Sequence, residues 1–411
     1  LQGPAIVKDT VPAARLALIE RIVKAASARG GARRRAIDAD FCRAFFHGVA
    51  EEDLRARPPE ELAGMALSHF ALGRSRAGSR ARVRVFNPDP ARDGFQSRHT
   101  VVQIITDDMP FLVDSVSIVF AKLQIAMHLI IHPVIAMRRD SRGRALGVGA
   151  GAGADTRSES WQLYEVDRRN DAQSLAALEA AIRASLVDVQ AAVEDWMPIR
   201  DRVRTLAAGL AESTPLPAEE ISEARALLEW MEAQHFVFLG YRRYRLVRGA
   251  AEDRLVPVPS SGLGIRRRGH GGRRSSAVRL RGELRQRARD PELLILTKAN
   301  TLATVHRGTY LDYVGVKTFD ARGRVDGEHR ILGLWTSTVY YRSARAIPVL
   351  RHKVESVIDH FGLAPQSHDA KAVVNVLETY PRDELFQASV PDLIRIVREV
   401  VNLYERRTVR L

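Results

Sequence analysis

The sequence predicts an α+β protein of several domains: a helical lead-in, a ferredoxin-like split βαβ unit, an antiparallel α+β unit and a set of C-terminal helices. Three observations predict it. The chain has 411 residues, which at roughly 100 to 200 residues per domain means about two to four domains. Between residues 85 and 198 the pattern runs strand, helix, strand, strand, helix. Between 236 and 345 β-rich runs alternate with polar turns, and helical periodicity stands on either side.

Residues 1–84 read as three short helices and a linker. Pro12 opens the first, Asp38 can cap the second, and Pro59 opens the third, with Leu62, Met65, Ala66 and Phe70 on one face before Gly73. The Arg-rich stretch up to Arg84 reads as the linker. In the segment 85–198, His99 to Thr106 (HTVVQIIT) has the length and β-branching of a buried strand. Asp108 then suits a helix cap and Pro110 a first helical position, so a helix is expected from Pro110 to Leu123. A second strand follows at 127–138, a glycine-rich loop at Gly143 to Asp155 and a third strand at Trp161 to Val166. Leu175, Leu178, Ile182, Leu186, Val189 and Val193 then recur at three- and four-residue spacing, which marks a long helix ending near Pro198.

Residues 199–235 read as a helical connector, restarted at Pro217 with Glu219 and Glu220 where the helix dipole favours acids. The segment 236–345 begins with a strand, Phe236 to Val247, and continues through an Arg-rich loop, Gly264 to Arg289. Three β runs complete it, at Leu293 to Thr297, Thr309 to Phe319 and Arg330 to Ser337, with Asp320 to Gly327 a turn between the last two. Residues 346–411 return to helix, with Pro348, Pro381 and Pro391 near the starts.

Composition narrows the class. Hydrophobic residues at 45% and charged residues at 27% are globular values and exclude wholesale disorder. The net charge of +14 is confined to two places: residues 264–289 carry ten Arg against one Glu, and residues 72–84 carry five Arg and no acid. The basicity is thus two patches rather than a general field. The single cysteine, Cys42, excludes an internal disulfide and a cysteine-cluster metal site, and its neighbours Phe41, Phe45 and Phe46 suggest a buried thiol. No signal peptide is visible, and the longest apolar stretch, Pro110 to Met137, carries Asp114 and Lys122. A spanning helix is disfavoured and a reducing, cytoplasmic setting is expected.

Candidate chemistry is sparse. Gly149 to Ala154 matches a loose dinucleotide fingerprint but lacks a strand before it and a helix after it, so it reads as a loop. His128 and His132 would sit about 13 Å apart on a strand, too far to share an ion. Asp107, Asp108 and Asp114 suit either acid-base work or the capping of a helix. Lys298, His306, Asp312, Tyr313 and Lys317 are candidates for a pocket in the second α+β segment. The loop at 264–289 has no aromatic for stacking on bases, although it suits non-specific contact with a polyanion.

Several segments closely resemble the N-terminal region of the large bacterial NAD-dependent glutamate dehydrogenases: Thr106 to Ser115 (TDDMPFLVDS), Leu129 to Val134 (LIIHPV), His235 to Tyr244 (HFVFLGYRRY), Leu296 to His306 (LTKANTLATVH), Tyr310 to Lys317 (YLDYVGVK), Glu328 to Ser337 (EHRILGLWTS) and Leu377 to Gln387 (LETYPRDELFQ). The resemblance runs from about Pro59 to Leu411. It implies an ACT-like domain at 85–198, a PAS-like domain at 236–345, and a catalytic core lying outside this chain. It further implies a non-catalytic regulatory and assembly role, with no cofactor in this segment and NAD used by the parent enzyme. The expected partners are its own catalytic region, neighbouring subunits of a homo-oligomer and a small effector; neither membrane nor nucleic acid is expected.

ACT domains that bind amino acids often carry a DxPGL-like turn, and here Asp108, Met109, Pro110, Phe111 and Leu112 match it, with Phe111 in the glycine's place. Asp107, Asp108, Met109 and Pro110 are therefore the expected effector or interface residues. The rival readings are a polyanion-binding module acting through the Arg-rich loops, and an enzyme site around Lys298, His306 and Lys317.

Overall fold

The computed structural model describes residues 13–28, 32–149, 156–213, 215–267, 277–364 and 366–406. Contacts divide the chain into two units, Leu1–Leu186 and Val187–Leu411.

The first unit opens with helices α1 (Ala13–Ser27), α2 (Ala32–Phe46), α3 (Glu51–Arg55) and α4 (Pro59–Gly73). Then come β1 (Arg82–Phe86), α5 (Pro90–Asp93), β2 (Thr100–Asp107), α6 (Leu112–Lys122), β3 (Met127–Ile131), β4 (Val134–Arg139), β5 (Ala145–Val148), β6 (Thr156–Val166) and α7 (Ala172–Glu194), which runs on past the division. The sheet order is β1-β2-β6-β4-β5, and β3 also pairs with β6. Every pairing is antiparallel. The strand-helix-strand-strand-helix core has no final strand of its own, and a ferredoxin-like sheet needs one beside its first strand. Arg82–Phe86 supplies that edge, paired from Arg82↔Ile105 to Phe86↔Val101. The Arg-rich stretch ending at Arg84 is therefore not simply a linker, because its last residues are part of the sheet.

β2 is buried on both faces, which is why its sequence is apolar without alternation. On one face Val101, Ile105, Trp161 and Leu163 join Ile22, Phe41, Cys42, Phe45, Met65 and Phe70 of the lead-in helices in a single core. Trp161 is its centre, with the Phe41 ring 4.7 Å and the His69 ring 5.2 Å away. A Cβ on Gly73 would sit 2.1 Å from the Trp161 ring, so only glycine lets α4 end against it. The opposite face offers Tyr164, whose ring lies 5.2 Å from Phe120 of α6. The expected single strand at 127–138 is two strands: His132 and Pro133 fall between β3 and β4, as a proline that cannot donate to the ladder would require.

The second unit contains α8 (Trp196–Ser213), α9 (Ala218–Trp230), β7 (Phe236–Val247), β8 (Asp253–Pro257), β9 (Leu263–Gly264), β10 (Val278–Leu280), α10 (Gly282–Arg289), β11 (Leu294–Leu302), β12 (Tyr310–Phe319) and β13 (Val325–Trp335). Five helices close it: α11 (Ser337–Tyr341), α12 (Leu350–Phe361), α13 (His368–Thr379), α14 (Arg382–Gln387) and α15 (Val390–Arg406). The sheet order is β10-β8-β7-β13-β12-β11, with β9 on β7. A bulge between Leu332 and Gly333 resets the alternation of faces, so Phe236, Phe238 and Tyr241 all reach one core despite their uneven spacing. That core also holds Val203, Leu227, Val314, Ile331, Trp335, Val354, Leu377 and Phe386. The Arg-rich segment is more ordered than a solvated loop. β10 and α10 arise inside it, and only residues 268–276 fall outside the described residues.

Candidate functional site

In the first unit the strand-to-helix turn is built by Asp107, Asp108, Met109, Pro110 and Phe111. Asp108 is exposed and its backbone N–H donates to the Ser158 carbonyl at 3.0 Å, which ties the turn to β6. Its side chain does not cap α6. The N-cap position is Phe111, at φ 71° and ψ 4°, so α6 begins two residues later than Pro110. Phe111 thus adopts the left-handed conformation that glycine takes most readily, and the turn keeps its shape with a ring in place of a hydrogen.

Asp107 accepts from Arg76 Nη1 at 2.7 Å. Burial opposes its ionisation, but hydrogen bonds from Arg76 and Ser79 and the nearby guanidinium charge hold its carboxyl below the usual range. Arg76 is itself buried and also reaches Glu159 Oε1 at 3.0 Å, and Glu159 is clamped by Arg139 at 2.7 and 2.8 Å. Sequence reasoning missed this support. Arg76, Asp107, Arg139 and Glu159 come from four separate stretches and no local motif joins them.

His128 and His132 do not form a metal pair. His128 Nε2 lies 2.8 Å from Asp167 Oδ1 and its ring stacks on His99 at 4.1 Å. No group of three or more potential metal ligands occurs among the described residues.

In the second unit Lys298, His306 and Lys317 are not assembled into one centre. Lys298 Nζ lies 2.7 Å from Asp312 and 3.0 Å from Asp383. Lys317 stands five positions further along β12 from Asp312, the residue opposite Lys298, so about 16 Å separates the two levels. Its ammonium donates to the Arg287 and Asp290 carbonyls at 2.7 Å each, closing the end of α10. His306 lies in the loop between β11 and β12, at φ 74°.

A cavity of about 970 Å³ opens beside β11 in this unit. Its lining includes Leu280, Leu294, Leu296, Phe386, Tyr313, Lys317, Glu328, Arg330 and Lys353. Several of its charged side chains have partners within the fold. Tyr313 donates to Glu328 Oε1 at 2.7 Å and Arg330 Nε donates to the same oxygen at 3.0 Å, while the Arg330 guanidinium lies 4.3 Å from the Tyr244 ring centre. Lys353 is lowered by burial to about 8, and its ammonium donates to the Phe386 and Ala388 carbonyls at 2.7 and 2.8 Å. Its protons are committed to the end of α14, so it closes a helix instead of standing as a nucleophile.

Several of the described arginines in the Arg-rich patches meet acids inside the protein. Arg267 pairs with Asp195 at 2.7 Å and Glu194 at 2.9 Å, Arg281 with Glu252 at 2.7 Å, and Arg285 and Arg289 with Asp253 at 3.2 and 2.6 Å. In the other patch Arg84 meets Asp93 at 2.6 Å, and Arg76 is buried as described. The glycine motif at 149–154 falls almost wholly outside the described residues. No described helix is long and apolar enough to cross a membrane.

Comparison with known proteins adds what the geometry alone does not. The family model described as the ACT1 domain of glutamate dehydrogenase matches residues 41–182, and that described as helical motif 1 of glutamate dehydrogenase matches residues 347–406. An NAD-specific glutamate dehydrogenase of Halomonas elongata is 34% identical over 406 residues, covering 97% of this chain and 25% of the relative. One from Pseudomonas aeruginosa is 35% identical over 90% of this chain and 23% of its own length. A third, from Mycobacterium tuberculosis, is 29% identical over 83% of this chain and 20% of its length. The chain spans about a quarter of the length of the curated relatives it matches.

Proposed function

Because the chain belongs to the NAD-specific glutamate dehydrogenase family, we propose that it is the non-catalytic N-terminal regulatory and assembly region of an enzyme that oxidatively deaminates L-glutamate to 2-oxoglutarate with NAD. One observation carries this. The chain aligns over almost its whole length with relatives four times longer, and the part matched is that of the ACT1 domain and helical motif 1.

The regulatory mechanism is a population shift. An effector, or a neighbouring subunit of a homo-oligomer, prefers one arrangement of this region and so biases the catalytic region by its differential affinity. The contact residues in this reading are Asp107, Asp108, Met109 and Pro110. Asp108 supports it by being exposed beside a turn held from behind by buried charge. Residues 236–345 are read as PAS-like, a reading that their antiparallel sheet supports. A cytoplasmic location follows from the metabolic role.

The test compares glutamate-dependent NAD reduction by the full natural polypeptide with that of these 411 residues. Turnover by the long form alone is expected; turnover by this chain alone overturns the reading. Asp108→Ala in the full enzyme should alter effector response or assembly and leave the chemistry intact.

A further inference from the structure

A second, smaller pocket in Val187–Leu411 has a different character from the cavity beside β11. It encloses about 280 Å³ and is lined by Arg202 of α8, Tyr241 and Arg243 of β7, His329 of β13 and the segment Val258 to Ser261 with Leu263. The strand register builds it. Arg243 and His329 are direct partners across the β7–β13 ladder, and Tyr241 precedes Arg243 on the same face by two residues. Tyr241 Oη lies 2.6 Å from His329 Nδ1. The wall at 258–261 is held in place by Val258 N–H donating to the Arg243 carbonyl at 2.9 Å and by Ser261 Oγ donating to the Val258 carbonyl at 2.8 Å. Ser260 takes φ 61°, a conformation a non-glycine residue adopts at a cost, and it stands exposed at the rim.

The lining contains no carboxylate. Elsewhere in the unit, arginines such as Arg200, Arg204, Arg225, Arg267 and Arg351 each meet an acid. Among the described residues neither Arg202 nor Arg243 has an acidic partner within 4.0 Å. Two exposed guanidiniums therefore converge from different elements on one concavity, and Asp326, whose charge reaches His329, lies outside its lining. His329, lowered by burial and by those two arginines to about 4 with Asp326 opposing, adds no charge at neutral pH. The local charge is that of the two guanidiniums, which matches a dianion, and guanidinium forks suit phosphoryl oxygens in geometry as well. Ser260 adds a hydroxyl beside them.

We propose that this pocket binds a phosphoryl dianion, borne by a small phosphomonoester or by phosphate itself. The inference stands independently of the proposed function, since it rests on the lining residues alone. The enclosed volume has room for a compact organic group behind the phosphoryl head.

The test is calorimetric titration of the 411-residue chain, in phosphate-free chloride buffer, with inorganic phosphate and separately with ribose 5-phosphate. Saturable one-to-one binding is expected. Arg202→Ala and Arg243→Ala should each weaken it by about tenfold or more. Both side chains are exposed, so the melting temperature should hold. Ser260→Glu, which places an anion at the rim without removing either arginine, should abolish binding. Tighter binding of ribose 5-phosphate assigns the site to an ester, and equal binding assigns it to phosphate itself. Absence of saturable binding, binding unchanged in all three variants, or succinate displacing ribose 5-phosphate at lower concentration would each overturn the proposal.

Discussion

Arg76 Nη1 lies 3.0 Å from Glu159 Oε1, and neither side chain keeps more than 1% of its surface in water. Arg139, 3% exposed, donates to both oxygens of the same carboxylate, and Arg76 also holds Asp107 at the mouth of the turn. Two guanidiniums and two carboxylates thus neutralise one another beneath the segment proposed to contact an effector. The arrangement fixes the turn from the inside and leaves Asp108 on the outside.

Removing one member of such a network leaves an uncompensated buried charge, which costs about 3 to 5 kcal/mol. Glu159→Gln should therefore destabilise the first unit by that order, read as a lower urea midpoint with an unchanged slope. A variant whose midpoint stays within experimental error of the parent would show that the pair contributes nothing net. Asp108→Ala, exposed and outside the network, should leave the midpoint unmoved.

Phe111 offers a sharper test of backbone against side chain. At φ 71° an alanine is strained and a glycine is not, and the difference is roughly 1 kcal/mol. Phe111→Gly should be more stable than Phe111→Ala by that amount, although both lose the ring equally. An alanine variant as stable as the glycine one would mean that the turn relaxes out of the left-handed region once the ring is gone.

The sign of one pH effect follows from His69. It is fully buried against Trp161 and Phe45, and burial lowers it to about 3. Its folded value lies below its unfolded value near 6.5, so the unfolded chain binds the extra proton first. The stability is complete above pH 6.5 and is lost as the pH falls from there toward 3, with a slope of up to about 1.4 kcal/mol per pH unit. The carboxyl of Asp107 is held below its usual value, so its own loss begins lower and the upper part of the window belongs to histidine. Denaturant titrations of the parent and His69→Gln between about pH 7 and 5 should give a sloping and a flatter line respectively. Parallel lines would assign the effect elsewhere.

Much of the scaffold was legible because local chemistry and tertiary packing agree there. Phe236–Val247 was read to the residue, and the β-branched run before Asp107 was placed to within one position. Cys42 among its phenylalanines is fully buried, its thiol pushed up to about 12. What local reading could not reach is pairing at a distance. Arg76 and Arg84 resemble linker residues until Glu159 and Asp93 are brought to them. The same holds for Arg281, Arg285 and Arg289, which read as a solvated loop and are bound to acids 29 to 36 positions earlier. The turn between β2 and α6 was legible, but its end was not: the helix expected from Pro110 begins at Leu112, after a left-handed Phe111 that only the structure shows. Arg202 and Arg243 gave no sign of a shared pocket, because their convergence is a property of the fold.

The ion pairs of Arg281, Arg285 and Arg289 yield a prediction against the polyanion reading. Asp253, with no exposed side-chain surface, accepts from Arg289 at 2.6 and 2.8 Å and from Arg285 at 3.2 Å. Hydrogen bonding from Arg289, with burial opposing, lowers it to about 2, so it stays ionised at any working pH. Glu252 holds Arg281 in the same way, with its carboxyl below the usual range. These three guanidiniums are therefore occupied, and they should contribute little to the retention of the parent protein on a heparin column. Converting Glu252→Gln and Asp253→Asn together removes two negative charges and frees the arginines, so retention should rise. The salt dependence of polyanion binding should steepen by about two counterions on a logarithmic plot. Equal retention of parent and double variant, both folded by circular dichroism, would mean that the internal pairs do not govern the surface charge. Strong, salt-sensitive retention of the parent itself would favour the polyanion reading.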